Sequence, residues 1–323
     1  MGGLNLNEYN KIYHGDCLSE SDKIESGSVD LILTDLPYGT LKGATLTSSK
    51  TRNDEYYWDV TIDINKIYEI ANRILRPNGK MILFSQEPYT TKLINNSIRN
   101  IPFSYRAIWE KDNFANALIT KGAMVGYYED ILLFSKRYDA DMECIHPLRP
   151  YFRDILAFIR LNLKQINTKL GHRRAEHTFY INSTQYELCT EETYNELIQV
   201  FKINEMQGFR VFSDIKEVNN KFKTNFPSTF NLWQGNKYKS NILKYKKDYE
   251  GLHPCQKPIL LLEDLVQTFS NKNNLVVDLT VGSGSTLVAC LNTNRRYIGI
   301  EKDELYYNIA IERVSGYINH IIN

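Results

Sequence analysis

The run Val29-Asp30-Leu31-Ile32-Leu33-Thr34 is apolar enough to be buried on both faces, which is the habit of strands in a parallel sheet covered by helices on each side. It ends in Asp35-Leu36-Pro37-Tyr38-Gly39. A strand that stops in an acid, a backbone carbonyl and a ring places them together at the mouth of a sheet. Pro37 locks its own φ and biases residue 36 toward an extended conformation, so the groups converge. Asp35 and the Leu36 carbonyl can each accept a hydrogen bond, and Tyr38 offers a face for stacking. An exocyclic amine on a nucleobase, with two N–H donors and a π-face, matches this set. Taken alone, the four residues are equally an ordinary strand end.

The rest of the chain repeats the same alternation. Ile12 to His14 reads as a strand leading into Gly15-Asp16-Cys17, and residues 62–75 carry apolar side chains at helical spacing, with Pro77-Asn78-Gly79 expected to stop that helix. Strands follow at 81–84, 105–110 and 131–134, with a helix over 88–99. The polar stretch 40–59 reads as a mobile loop able to close over a substrate. From Ile259 the alternation resumes: helix 259–269, strand 275–279, helix 285–292, strand 297–300 and helix 304–318. Such alternation predicts a doubly wound, Rossmann-like α/β sheet contributed by both ends of the chain.

Between these ends the character changes to helices, at 151–163 and at 190–201 with Thr190 as N-cap. The segment from Ile166 to Arg174 has the outline of a helix-turn-helix whose second helix would open with Arg173 and Arg174; a solvated helical hairpin fits it as well. Residues 221–247 interleave seven lysines, among them Lys237 and Lys239, with six aromatic rings and no acid. That pattern suits phosphate and base contacts, or a basic surface over an aromatic core. The predicted organisation is 1–138, an inserted mostly helical module at 139–250, and 251–323.

Val276-Val277-Asp278-Leu279-Thr280-Val281-Gly282-Ser283-Gly284-Ser285-Thr286 is a strand, a glycine turn and a helix start. Leu287 stands where a dinucleotide site needs a third small residue, so the pyrophosphate fingerprint fails and a nucleoside is the expected ligand. Glu301, at the end of the next strand, is placed to hold ribose hydroxyls.

Net charge is only +1 over 323 residues, so nucleic-acid binding would rest on local patches. The five cysteines lack metal-ligand spacing, and no metal site is expected. No segment approaches the roughly 18 consecutive apolar residues of a membrane span, which predicts a cytoplasmic protein without membrane association.

Together these motifs resemble the amino-group DNA methyltransferases that use S-adenosylmethionine. Asp35-Leu36-Pro37-Tyr38 is similar to the family's D-P-P-Y motif, Asp278 to Thr286 to its D-P-F-x-G-S-G-T-T motif, and His253-Pro254-Cys255-Gln256-Lys257-Pro258 to its H-P-T-Q-K-P signature. The catalytic motif precedes the cofactor motif, the permuted order of the β group. Gly15-Asp16-Cys17, the strand from Tyr128 to Phe134, and Ser240-Asn241-Ile242-Leu243 add to the likeness. The resemblance implies that Asp35, Leu36, Pro37 and Tyr38 form the catalytic set. It implies a cofactor site of Asp16, Cys17, Lys257, Asp278, Thr280, Gly282, Gly284, Ser285, Thr286 and Glu301, with Lys257 on the cofactor carboxylate. DNA contacts are expected from Arg173, Arg174, Lys237, Lys239 and Ser240, with the base flipped onto Tyr38. The implied reaction is methylation of adenine N6 in duplex DNA. Cytosine N4, which has the same amino geometry, and an inactive DNA-binding core are the alternatives. A monomer or homodimer, with or without a cognate restriction endonuclease, is compatible with the sequence.

Overall fold

The computed structural model describes residues 10–39, 60–115, 122, 124–137, 146–183, 185–225, 227–248 and 255–322. The 40–59 loop and His253-Pro254 lie outside the described residues. Two compact units emerge: Met1–Tyr138 with Ser228–Asn323, and Asp139–Pro227. The inserted unit is therefore shorter than the expected 139–250. Residues from Ser228 onward belong to the first unit because Ile242–Lys244 forms a strand on its sheet, paired in parallel with residues 108–110.

Among the described residues the strands are β1 (Lys11–His14), β2 (Val29–Thr34), β3 (Leu75–Ser85), β4 (Phe103–Ala115), β5 (Gly126–Ser135), β6 (Ile242–Lys244), β7 (Leu275–Asp278) and β8 (Arg296–Glu301). The α-helices are α1 (Cys17–Glu20), α2 (Ile64–Ile74), α3 (Tyr89–Asn95), α4 (Arg149–Ile159), α5 (Leu163–Leu170), α6 (Glu191–Phe201), α7 (Phe212–Asn225), α8 (Ile259–Phe269), α9 (Ser285–Asn292) and α10 (Glu304–Ile322). All eight strands share one sheet in the order β1-β8-β7-β2-β3-β5-β4-β6. Neighbours from β1 to β3 are parallel, and β5 runs antiparallel to both β3 and β4. The sheet is thus doubly wound, with one reversed strand.

Every residue of β2 is buried, and alternate side chains point to opposite faces. Leu31 and Leu33 join Ile82, Phe84 and Val276 in a core covered by α8, α9 and α10. Ile32 joins Met81, Leu83 and Val277 beneath α2 and α3. Helix α2 follows its sequence pattern: Asp63 caps it by accepting from the Asn65 N–H at 2.9 Å, and Ile67, Ile70, Ala71 and Ile74 are buried. It stops at Ile74, before Pro77-Asn78-Gly79 is reached. Those three residues lie inside β3, where the register shifts from Val29 opposite Leu75 to Leu31 opposite Lys80 and Asn78 takes φ 63°. The turn-forming triplet makes a bulge rather than a helix stop.

The inserted unit has its own core, with Phe152, Ile155, Ile166, Tyr194, Leu197 and Ile215 buried in it. Thr190 caps α6 as expected, and α5 closes on Gly171 at φ 76°. Of the two outlines that fitted Ile166 to Arg174, the helix-turn-helix does not form: turns and a short 3-10 segment, Glu176–Phe179, follow α5. Among the described residues no helix is long and apolar enough to cross a membrane.

One buried acid ties the centre of the sheet together. Asp30 accepts from Arg76 Nε at 2.6 Å and from the Leu275 N–H at 2.9 Å, joining β2, β3 and β7. Removing it would strand a guanidinium whose side chain is only 17% exposed. Asp30→Ala is expected to lower stability in urea unfolding by about 3 kcal/mol, the cost of breaking one side of a buried ion pair.

Candidate active site

The chain winds outward on both sides of the boundary between β7 and β2, where Ile32 is opposite Val277. In open α/β sheets the crevice at the carboxyl ends of such a pair is where ligands bind. Both sequence motifs leave the sheet here. Thr280 joins them: its hydroxyl lies 2.8 Å from the Thr34 hydroxyl and donates to the Asp35 carbonyl at 2.9 Å, while its N–H donates to Asp278 Oδ1 at 3.1 Å. Expected only as a cofactor contact, Thr280 also fixes one loop to the other.

Asp35 is fully engaged. Oδ1 accepts from the Tyr38 hydroxyl at 2.6 Å, and Oδ2 is paired with the Lys257 ammonium. Lys257 therefore sits on the carboxylate expected to be catalytic, where the resemblance had implied the carboxylate of a cofactor. Lys257 Nζ also lies 3.2 Å from Glu129 Oε2, and Glu129 Oε1 is paired with Lys111. The side chains of Lys257, Glu129 and Lys111 are 6%, 10% and 3% exposed, so these charges persist only because their signs alternate. Burial raises the proton affinity of Asp35, and Lys257 offsets only part of that. Burial opposes the charge of Lys257, yet Asp35 and Glu129 hold the ammonium above the usual lysine range. Burial likewise works against ionised Glu129, but Lys257 and Lys111 keep its carboxyl below the ordinary range.

Leu36 is 1% exposed and its side chain belongs to the core beneath α2. The departure from proline at this position thus contributes packing as well as a carbonyl. The Tyr38 ring lies against Tyr89 of α3, with centroids 5.6 Å apart. Tyr89 is 3% exposed and its hydroxyl has no hydrogen-bond partner among the described residues.

On the other side of the crevice, Gly282 (φ 53°) and Gly284 (φ 86°) adopt left-handed conformations that side chains resist. A Cβ on Gly284 would also meet Ala310 Cα of α10 at 3.3 Å. Glu301 accepts from the Gly282 N–H at 2.8 Å and the Asp303 N–H at 2.9 Å, one bond per oxygen, which leaves lone pairs for a further donor. The Gly15 N–H donates to the Glu301 carbonyl at 2.9 Å, bringing Asp16 to the same strand end. Asp16 caps α1 through the Leu18 N–H and pairs with Lys302 at 2.9 Å. Cys17 is buried, and burial pushes its thiol up to about 12, so it is an apolar wall rather than a nucleophile. Arg313 braces the loop by donating to Ser285 Oγ at 2.9 Å, and Thr286 hydrogen-bonds Asp278.

The expected DNA contacts fare differently. Arg173 is bound to Glu176 through two hydrogen bonds, and Arg174 reaches Glu196 at 2.7 Å. Their charges are balanced within their own unit. Lys239 is paired with Asp264, whose side chain is 2% exposed, and so holds the first unit's fold. Ser240 accepts from the Ile242 N–H at 3.0 Å, a turn at the start of β6. Lys237 is exposed, beside Tyr238 at 82% exposure. Sequence reasoning missed Glu129, Lys111 and Tyr89. The available signal was Glu129, an acid just ahead of the apolar run 131–134 where the strand becomes buried.

Asp278 is also buried, which pushes its carboxyl up to about 6 against hydrogen bonds from Thr286 and Thr280. A raised folded-state value means that the fold disfavours the ionised form. Stability is then given up as pH rises from the ordinary carboxyl value of 3.8 through about 6, and it stays lower above. Asp278→Asn should lose this dependence: its stability relative to wild type is expected to rise by about 2–3 kcal/mol between pH 4 and pH 7 in paired urea titrations.

Comparison with known proteins follows the same lines. A family model described as DNA methylase matches residues 29–312. The chain is 24% identical to the type II methyltransferase M.HindIII of Haemophilus influenzae, over 94% of each protein. It is 23% identical to the DNA adenine methyltransferase YhdJ of Escherichia coli, over 95% of this chain and 83% of that one. Among solved structures, the M1.HpyAVI–SAM complex aligns with a TM-score of 0.51 at 18% identity, over 94% of this chain and 98% of that chain. The cytosine-N4-specific PvuII DNA methyltransferase gives 0.51 at 14%, over 98% and 93%. These structural likenesses bear on the fold alone. With a family match across most of its length and both motif loops joined at one crevice, the chain belongs to the DNA methylase family of N6/N4 amino methyltransferases.

Proposed function

We propose that this chain methylates the N6 amino group of adenine in duplex DNA, with S-adenosylmethionine as methyl donor. The observation that carries the reading is the convergence of the Asp35 carboxylate and Tyr38 beside the Thr280–Gly284 loop, which is tied to them through the Asp35 carbonyl. The groups on the loop side fit a nucleoside: Glu301 retains lone pairs for ribose hydroxyls, Asp16 lies at the same strand end, and Gly282 and Gly284 give the loop its left-handed turn. Bound there, S-adenosylmethionine supplies an electrophilic methyl on a sulfonium.

The chain's own groups then have defined tasks. Asp35 and the Leu36 carbonyl accept the two amino hydrogens and turn the nitrogen lone pair toward the methyl. Tyr38 carries the flipped base on its ring, which requires its hydroxyl to release or share Asp35 Oδ1. Such a site works by orientation and fixed dipoles. The helical unit Asp139–Pro227 is read as the target-recognition part, and Lys237 as a phosphate contact on the catalytic unit. An acid at position 35 favours adenine; cytosine N4 offers the same pair of donors and is the second reading.

Asp35→Ala should reduce labelled-methyl transfer to DNA at least ~100-fold while calorimetric binding of S-adenosylmethionine stays within about threefold of wild type. Transfer retained by the variant would remove Asp35 from the chemistry. Digestion of the wild-type product to nucleosides should yield N6-methyladenine, and N4-methylcytosine in its place would establish the second reading.

A further inference from the structure

Lys111 lies outside the motifs and Glu129 has no task in the reaction set out above, yet they complete a buried chain of alternating charge: Asp35, Lys257, Glu129, Lys111. We propose that Glu129, braced by Lys111, is a positioning residue for methyl transfer, holding the Lys257 ammonium while Asp35 takes up the proton that leaves the amino group. The proposal rests on the reading of the site as an amino methyltransferase.

The balance of the step explains why a second anion is needed. The amino nitrogen's lone pair forms the new N–C bond as the C–S bond breaks, with its electron pair left on sulfur. One amino proton must then depart, and Asp35 is the acceptor already in place. Once Asp35 is protonated it no longer neutralises Lys257. Without Glu129, Lys257 would be a buried cation with no anion beside it, facing a neutral acid, the Cys255 carbonyl at 3.5 Å and the Phe84 ring, 5.1 Å from its centroid. With Glu129 Oε2 at 3.2 Å the ammonium keeps an anionic partner throughout. Lys111 plays the same part for Glu129 on its other oxygen, so that Glu129 is itself not left as an unpaired buried anion before the proton arrives. The positive charge lost from sulfur reappears as the proton on Asp35, and the four side chains absorb it without any one of them moving into water.

The geometry also says why Lys257 does not drift. It is gripped from β2's end by Asp35 and from β5 by Glu129, while Gln86 at the end of β3 lies 3.4 Å from Glu129 Oε1. The other charged or titratable groups facing the cluster are Tyr38, Tyr89, Cys255, Asp278 and Lys247, and each stays in place in the variants below.

The test uses the full chain with Glu129→Gln and Glu129→Asp. A second variant combines Glu129→Gln with Lys111→Met, so that the buried pair is deleted together if the single glutamine folds poorly. Glu129→Gln and the double variant should bind S-adenosylmethionine like wild type but transfer methyl roughly 10–100-fold more slowly in a single turnover, with Glu129→Asp recovering part of the rate. Removing a negative neighbour lowers the proton affinity of Asp35, so the acid limb of the pH–rate profile should move about 1 unit toward lower pH. Unchanged rate and pH profile in both glutamine variants would overturn the proposal. A substrate-free readout separates this from the reading on which it rests: the ¹³C titration of the Asp35 carboxyl. If wild type methylates no DNA, the functional reading fails, and an Asp35 midpoint unmoved by Glu129→Gln would overturn the coupling as well.

Discussion

The carboxyl ends of β2 and β7 lie side by side at the point where the chain winds outward in both directions, and the site depends on that adjacency. Two loops far apart in sequence meet there, and Thr280 holds them through its hydroxyl, which reaches both the Thr34 hydroxyl and the Asp35 carbonyl. Because its hydroxyl donates to the Asp35 carbonyl, the backbone of the catalytic loop is positioned by the loop that would carry the methyl donor. Orientation between donor and acceptor, which can supply much of a transfer reaction's advantage, is thus built into the sheet's connectivity. Asp30, farther back on the same strand, holds β2 to β3 and β7 and so keeps the two ends level.

Much of the fold was legible in the chain because its strands are buried on both faces and its helices amphipathic. The β2 run, the helix over 64–74 and the helix N-terminus at Thr190 all follow from local pattern. Pro77-Asn78-Gly79 misled because the same residues that end helices also suit bulges, and only the pairing of β3 with β2 decides between them. The module boundary moved for a similar reason. Ile242–Lys244 is three residues long and gains its identity solely from β4 beside it, a contact between residues more than a hundred positions apart.

At the site, the motifs located the crevice but not the ion pairs. Lys257 was legible as a basic residue near the cofactor motif, whereas its partners, Asp35 and Glu129, come from strands distant in sequence, the end of β2 and β5, which flank β3 in the sheet. Arg173, Arg174 and Lys239 show the converse. Read as a string they are bare cations, but folding pairs them with Glu176, Glu196 and Asp264 respectively, with Arg173 and Arg174 still exposed and Lys239 largely buried. A lysine's availability is a property of three-dimensional neighbours, so composition alone overstates basic surfaces.

In the proposed reaction Asp35, the Leu36 carbonyl and Tyr38 receive an amino group, and the buried charges of Lys257, Glu129 and Lys111 let the acid change protonation state. This scheme is tested most directly by a crystal structure of the chain with duplex DNA containing its target site and an unreactive analogue of the methyl donor. The account predicts a base turned out of the duplex, its amino nitrogen within about 3 Å of both Asp35 and the Leu36 carbonyl and its ring against Tyr38. A base left stacked in the duplex, or an amino group held by other residues, would contradict it.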